Sequence, residues 1–219
     1  MKLPKDTLTI ALPKGRLLTH STALFRKIGL LPKGLKADSR KLLFAHPGKR
    51  IRLVVVRAVD VPVYVEYGTA DAGIVGKDVL MEQQPEVYEP LDLGFGNCRI
   101  VVAAPRTPSP SRGWSHDTLK IATKYPRIAE RYFNEKGLPV EIIKLSGAIE
   151  LAPLVGLSDQ IVDLVTTGRT LKENRLKEIA LVSECTARLI VNRASLKTKG
   201  KRIMELINGM EAHAKVKDQ

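Results

Sequence analysis

Two stretches of this chain obey one grammar. RLVVVRAVDVPVYVEYGTADAGIV (52–75) runs from a β-branched apolar segment through a short helix led by Pro62 into Gly-x-x-Asp and a second apolar strand, and VEIIKLSGAIELAPLVGLSDQIVDLV (140–165) mirrors it. Gly68 follows Arg57 by eleven residues and Gly156 follows Leu145 by eleven, with Asp71 and Asp159 closing the motifs. Ahead of each lies another matching pair. TIALPKGRLLTHSTALFRKIGLLP and KIATKYPRIAERYFNEKGLPV both read as strand, lysine, helix and terminal glycine, with Gly29 closing the first helix. Two matches in the same order predict duplicated α/β lobes.

CRIVVAAP (98–105) leads out of the first lobe and TARLIVN (186–192) returns to it, which predicts a two-strand hinge and an interlobe cleft, where ligands of open α/β folds usually bind. Lobe I is expected over 1–98 plus 188–219 and lobe II over 99–187. The proline-rich APRTPSPSRGWSHD (104–117) reads as a loop.

Composition narrows the function. At 219 residues with 44% hydrophobic content the chain supports a real core. Its N-terminus lacks the apolar region of a secretory signal, and no stretch approaches a membrane span, so the cytoplasm is expected. Cys98 and Cys185 are far apart in sequence and read as small buried side chains, not as a disulfide or zinc framework. The histidines stand singly, so no protein-held metal site is expected and any metal arrives with substrate. Net charge is +13, and the first 60 residues hold fourteen Lys or Arg against three Asp. With 5% aromatics and no nucleic-acid-binding motif, that field suits small phosphorylated ligands better than nucleic acid.

The chemistry gathers at strand ends. In DLVTTGRTL (163–171) a buried strand gives way to Thr166, Thr167, Gly168 and Arg169, and Thr170-x-x-Glu173 fits a capping box opening a new helix. Strand, small polar turn and helix start together make an anion site: amides point outward, glycine permits close approach and hydroxyls donate. A plain capped turn explains the same residues. ALPKGRL places Lys14, Gly15 and Arg16 after the first strand, SRKLLF places Arg40 and Lys41 before another apolar run, and GIVGKD places Gly76, Lys77 and Asp78 after a third. Each of these also reads as a solvated basic turn or strand edge. GxxxxGK[ST] and GxGxxG are both missing.

ALPKGRL, SRKLLF, RAVDVPVYVEYGTADAGIVGKDVL, LDLGFGNCRIVVA, IATKYP, KLSGAIELAPLVGLSDQIVDLVTTGRTL and ARLIVN, in that order from about residue 7 to 197, closely resemble the short form of the ATP phosphoribosyltransferase family. The resemblance implies an α/β, two-lobed fold like the type II periplasmic binding proteins. It also implies a magnesium-dependent reaction, with the ion carried by the substrates, that joins ATP to phosphoribosyl pyrophosphate at the start of histidine biosynthesis.

By the same resemblance Thr167, Gly168, Arg169 and Thr170 would hold the 5-phosphate, with Asp163, Thr166 and Leu171 completing the phosphoribosyl segment. Thr166 stands where many members carry an acid, so a threonine replaces an expected carboxylate contact to the ribose. Arg16 and Arg40 match active-site arginines, while Lys14, Gly15, Arg16, Asp78, Asp92 and Glu150 match nucleotide or ribose contacts. The implied assembly is a homodimer within a hetero-octamer containing a regulatory subunit similar to histidyl-tRNA synthetase. RIMELINGMEAHAKVKDQ reads as a last amphipathic helix with a basic tail, and the short form, without the long form's regulatory domain, is expected. Two rivals remain: a phosphoribosyltransferase acting on a nucleobase, and a non-enzymatic two-lobed anion-binding module.

Overall fold

The structure is a computed structural model that describes residues 4, 6–36, 39–107 and 118–214. Most of the expected proline-rich loop, from residue 108 to 117, and the basic tail after Ala214 lie outside the described residues. In chain order the elements are β1 (Leu8–Pro13), α1 (Arg16–Lys27), β2 (Leu43–His46), β3 (Ile51–Val56), α2 (Val61–Glu66), β4 (Ala72–Gly76), α3 (Lys77–Gln83) and β5 (Tyr88–Asp92). They continue with β6 (Cys98–Pro105), β7 (Leu119–Thr123), α4 (Pro126–Glu135), β8 (Val140–Lys144), β9 (Gln160–Val165), α5 (Arg169–Glu173), β10 (Leu176–Cys185), β11 (Ala187–Val191), α6 (Arg193–Thr198) and α7 (Gly200–Ala214).

The chain divides into two compact units, Met1–Asn97 with Thr186–Gln219, and Cys98–Cys185. The first holds a sheet ordered β2-β3-β1-β4-β11-β5, and the second a sheet ordered β10-β6-β9-β7-β8. Reading inward from β3 and from β8, the two sheets have the same plan. A parallel trio (β3-β1-β4 or β8-β7-β9) is followed by an antiparallel strand (β11 or β6) and then by an edge strand antiparallel to it (β5 or β10). The sequence duplication is therefore a duplication of fold. Only the chain position of the antiparallel strand differs: β11 follows the rest of its unit, whereas β6 precedes the rest of its own.

The two Gly-x-x-Asp motifs perform one task. Asp71 donates its N–H to Thr9 O (2.7 Å) and accepts the Thr9 N–H on Oδ2 (2.8 Å). Asp159 does the same with Lys120, at 2.9 and 2.8 Å. Each aspartate thus fastens the start of the first strand of its parallel trio, β1 or β7, to the turn before the last, β4 or β9, satisfying backbone groups where regular pairing has not begun. Gly68 and Gly156 hold φ of 71° and 76°, the left-handed region that glycine enters without steric cost.

The core of the first unit packs Ile10, Leu12, Leu53, Ile74 and Leu189 of the sheet against Phe25 of α1 and Met210 of α7. Helix α1 ends as expected at Gly29. The Leu30 N–H reaches Phe25 O (2.9 Å) and the Gly29 N–H reaches Arg26 O (3.1 Å), the doubled bond of a left-handed glycine cap. The second unit packs Val101, Ala103, Ile161 and Val165 against Ile149, Leu171 and Leu176. Here the mirror of α2 shortens to a 3-10 turn over Ile149–Leu151. Pro153 occupies the place of Val65 in the aligned repeat, and without an N–H it cannot continue the helical ladder.

Asp71 is buried and also accepts from Lys199 Nζ (2.8 Å to Oδ2) and Ser195 Oγ (2.7 Å), which tie the C-terminal helices to β1. Lys199→Met should lower stability by about 2 kcal/mol, the usual worth of a charge-assisted bond to a buried acid. Urea denaturation reads this directly, and an unshifted midpoint would show that the tie contributes nothing. Cys98 and Cys185, distant in sequence, are cross-strand partners in the β6–β10 pair; they form no disulfide, and Cys98 is half-buried, not buried as expected. No helix among the described residues is long and apolar enough to cross a membrane.

Candidate active site

Strand β9 is buried along most of its length because the second unit covers both of its faces. At its carboxyl end the chain turns through Thr166 and Thr167 and enters α5 from Gly168, whose φ is 74°. That conformation aims the turn outward, and a cavity of about 160 Å³ opens against it. Asp163, Thr166, Thr167, Gly168, Thr170 and Leu171 line it, together with Glu150 from the 3-10 turn. Glu150, expected as a nucleotide contact, thus shares a cavity with the phosphoribosyl segment.

The capping box is not formed. The residue capping α5 is Gly168, which has no side chain, and Thr170 already lies inside the helix. Glu173 is taken by Arg169, whose Nε donates to its carboxylate at 2.8 Å. An i,i+4 ion pair has outcompeted the reciprocal cap. Consequently Arg169 is mostly exposed and is not among the residues lining the cavity, where hydroxyls and backbone groups predominate. Leu171 is buried and serves the core as well as the cavity wall.

Asp163 is the buried acid of this cavity. Burial pushes its carboxyl above the ordinary range; the Leu164 N–H on Oδ1 (2.8 Å) and Lys124 (3.8 Å) pull the other way, and Glu150 adds to the rise. A raised carboxyl favours folding most below its ordinary value of 3.8, and that contribution is lost as pH rises through the folded-state value. Asp163→Asn should therefore raise the melting temperature at neutral pH, by an amount that shrinks to nothing on acidification below 3.8. Thermal melts across pH check this; a pH-independent difference would assign the change to packing.

Lys124, the lysine of the KIATKYP strand–lysine–helix match, is not among the site residues expected from the sequence. It directly follows the apolar β7, the same placement that marked Lys14 and Lys77, and the β7–β9 register brings it beside Asp163.

In the first unit the remaining candidates share one sheet edge. Lys14, Gly15 and Arg16 follow β1, and Lys77 and Asp78 follow the parallel β4. Arg40 precedes β2, which runs antiparallel to β3 and so begins at that same edge. Gly15, at φ 85°, caps α1 without a side chain, and the first turn of α1 carries no acid. Lys14, Arg16 and Arg40 are exposed. Asp92 differs: its carboxylate already accepts from Thr186 Oγ1 (2.7 Å), the Gly94 N–H (2.9 Å) and Arg188 (2.9 Å). Among the described residues no three His, Cys, Asp or Glu come together as metal ligands.

The sequence profile described as "HisG: ATP phosphoribosyltransferase" matches residues 57–212. A protein of Geobacter metallireducens named ATP phosphoribosyltransferase is 59% identical over 212 residues, covering 95% of this chain and 99% of its own length. A Geobacter sulfurreducens protein named ATP phosphoribosyltransferase 2 is 58% identical over 212 residues, with the same coverage. Among solved structures, the ATP phosphoribosyl transferase (HisG:HisZ) complex from Thermotoga maritima matches at TM-score 0.80 and 34% identity, over 94% of this chain and 98% of that one. The periplasmic aliphatic sulphonate binding protein SsuA of Escherichia coli matches at TM-score 0.59 and 12% identity, over 94% of this chain and 72% of that one, a likeness of fold alone. With its two-lobed, type II periplasmic-binding-protein-like fold, the chain belongs to the ATP phosphoribosyltransferase family.

Proposed function

We propose that this chain condenses ATP with 5-phosphoribosyl 1-pyrophosphate to N1-(5-phosphoribosyl)-ATP and pyrophosphate, the first step of histidine biosynthesis. The observation that carries the reading is the cavity at the end of β9, in a chain 59% identical to a protein named for this activity. Amides and hydroxyls of the Thr166–Thr170 turn receive the 5-phosphate, each bond to a charged oxygen contributing roughly 1.5–3 kcal/mol. In this scheme Asp163 and Glu150, which line the same cavity, hydrogen-bond the ribose hydroxyls.

Adenine N1 attacks the anomeric carbon with its own lone pair, so no general base is needed. The N1–C1 bond forms as the bond from C1 to the pyrophosphate oxygen breaks, and the electron pair leaves with pyrophosphate. Arg16 and Arg40 stabilise the charge building on that leaving group, the preorganised electrostatic term that dominates such reactions. Lys14, Gly15 and Asp78 remain nucleotide contacts in this scheme, whereas Asp92, engaged by three protein donors, would act through Arg188 and Thr186. Asp163 and Glu150, the two cavity carboxylates, would face a magnesium ion arriving with the substrates, which would supply charge neutralisation.

The Thermotoga maritima neighbour is a HisG:HisZ complex. We infer a HisZ-like regulatory partner here too, with a homodimer of this chain inside a hetero-octamer and the cytoplasm as the site of action. Ultraviolet detection of phosphoribosyl-ATP from ATP, phosphoribosyl pyrophosphate and magnesium tests the activity, with and without a HisZ-type subunit. Nucleotide formation from free adenine but not from ATP would overturn it.

A further inference from the structure

Beneath the Thr166–Gly168 turn lies an ion pair that the scheme above leaves unused. Arg99 and Glu178 sit on β6 and β10, neighbours in the second sheet, and meet with two parallel bonds, NH1 to Oε2 at 3.0 Å and NH2 to Oε1 at 2.9 Å. Arg99 pairs in register with Val165, the last residue of β9 before the turn. Directly opposed residues point to one face, so Arg99 stands on the face of Val165, Val101 and Ala103, where Leu171 of α5 packs. Glu178 reaches the same place: a Cβ built on Gly168 would lie 3.8 Å from its Oε1. The carboxylate therefore abuts the backbone of the turn that opens the cavity.

A carboxylate in that position works against a phosphate on the other side of the turn unless its charge is cancelled. The two-pronged guanidinium cancels it and also fixes its direction, which a single-point cation would do less well. Both side chains are partly exposed, at 41% for Arg99 and 32% for Glu178, so the pair contributes little to stability and its conspicuous property is its location.

We propose that Arg99 and Glu178 are positioning residues for phosphoribosyl pyrophosphate: Glu178 supports the Gly168 turn from below, and Arg99 holds and neutralises Glu178 so that the turn stays receptive to phosphate. The inference rests on the assignment of the 5-phosphate to that turn. It concerns residues that never touch substrate, and it predicts a signature distinct from simple loss of packing.

The test is calorimetric titration of the folded full-length chain with phosphoribosyl pyrophosphate and, separately, with ATP. Arg99→Met leaves Glu178 bare and should weaken phosphoribosyl pyrophosphate about tenfold, with ATP affinity unchanged. Arg99→Met with Glu178→Gln removes the stray charge and should return affinity to within about threefold of the original, although both variants lack the ion pair. A merely structural pair predicts the opposite, a double variant no better than the single one, and that result overturns the proposal. So does unaltered affinity in Arg99→Met when Thr167→Ala binds weakly, which leaves the phosphate assignment standing. Unaltered affinity in Thr167→Ala would bring down the assignment itself, and the inference with it.

Discussion

Gly168→Val should weaken phosphoribosyl pyrophosphate binding by about a hundredfold, roughly 2.7 kcal/mol, within the worth of one charge-assisted bond to phosphate. The residue holds φ of 74°, where a β-branched side chain is sterically disfavoured by about 1–2 kcal/mol. An added Cβ alone would find ordinary contacts, 3.8 Å to Glu178 Oε1 and 3.9 Å to Val165 Cγ1, but the γ-methyls of valine reach further into that space. The turn must reshape, and the amides that face the cavity turn with it. Gly168→Ala meets the same backbone penalty without the methyl crowding and should lose much less affinity. Titration calorimetry separates the two, and a valine variant with normal affinity would move the phosphate away from this turn.

Arg16→Ala and Arg40→Ala should each reduce kcat by about 10²–10³-fold, the range for removing one preorganised stabiliser of developing negative charge. Neither side chain makes an ion pair or hydrogen bond with another described residue, and both are exposed. Their loss should therefore move stability by no more than about 0.5 kcal/mol. That separation distinguishes a mechanistic arginine from a structural one. Variants with full turnover would exclude both from leaving-group stabilisation; variants that lose turnover only by unfolding would be seen in the melting curve.

The fold was legible wherever local physics decides it. Runs such as RLVVVR and IVDLV could be little but strands, and the paired Gly-x-x-Asp motifs disclosed a duplication because Asp71 and Asp159 each have to close the same backbone corner. Competition between equivalent local partners was harder to read. Glu173 is equally well spaced for a cap at Thr170 or for an ion pair with Arg169, and only the geometry imposed by Gly168 decides between them. Long-range pairing left no trace at all: Cys98 meets Cys185, and Arg99 meets Glu178, through strand order alone. Lys124 falls between these cases, since its position after a strand was visible but its neighbour Asp163 was not.

The late arrival of β11 has a consequence for synthesis on the ribosome. This strand lies between β4 and β5, so the first sheet stays split until residues beyond Thr186 have emerged, whereas every strand of the Cys98–Cys185 unit is by then available. The segment translated second should acquire its tertiary structure first, while the nascent N-terminal portion waits, incomplete and in need of protection, for its missing staple.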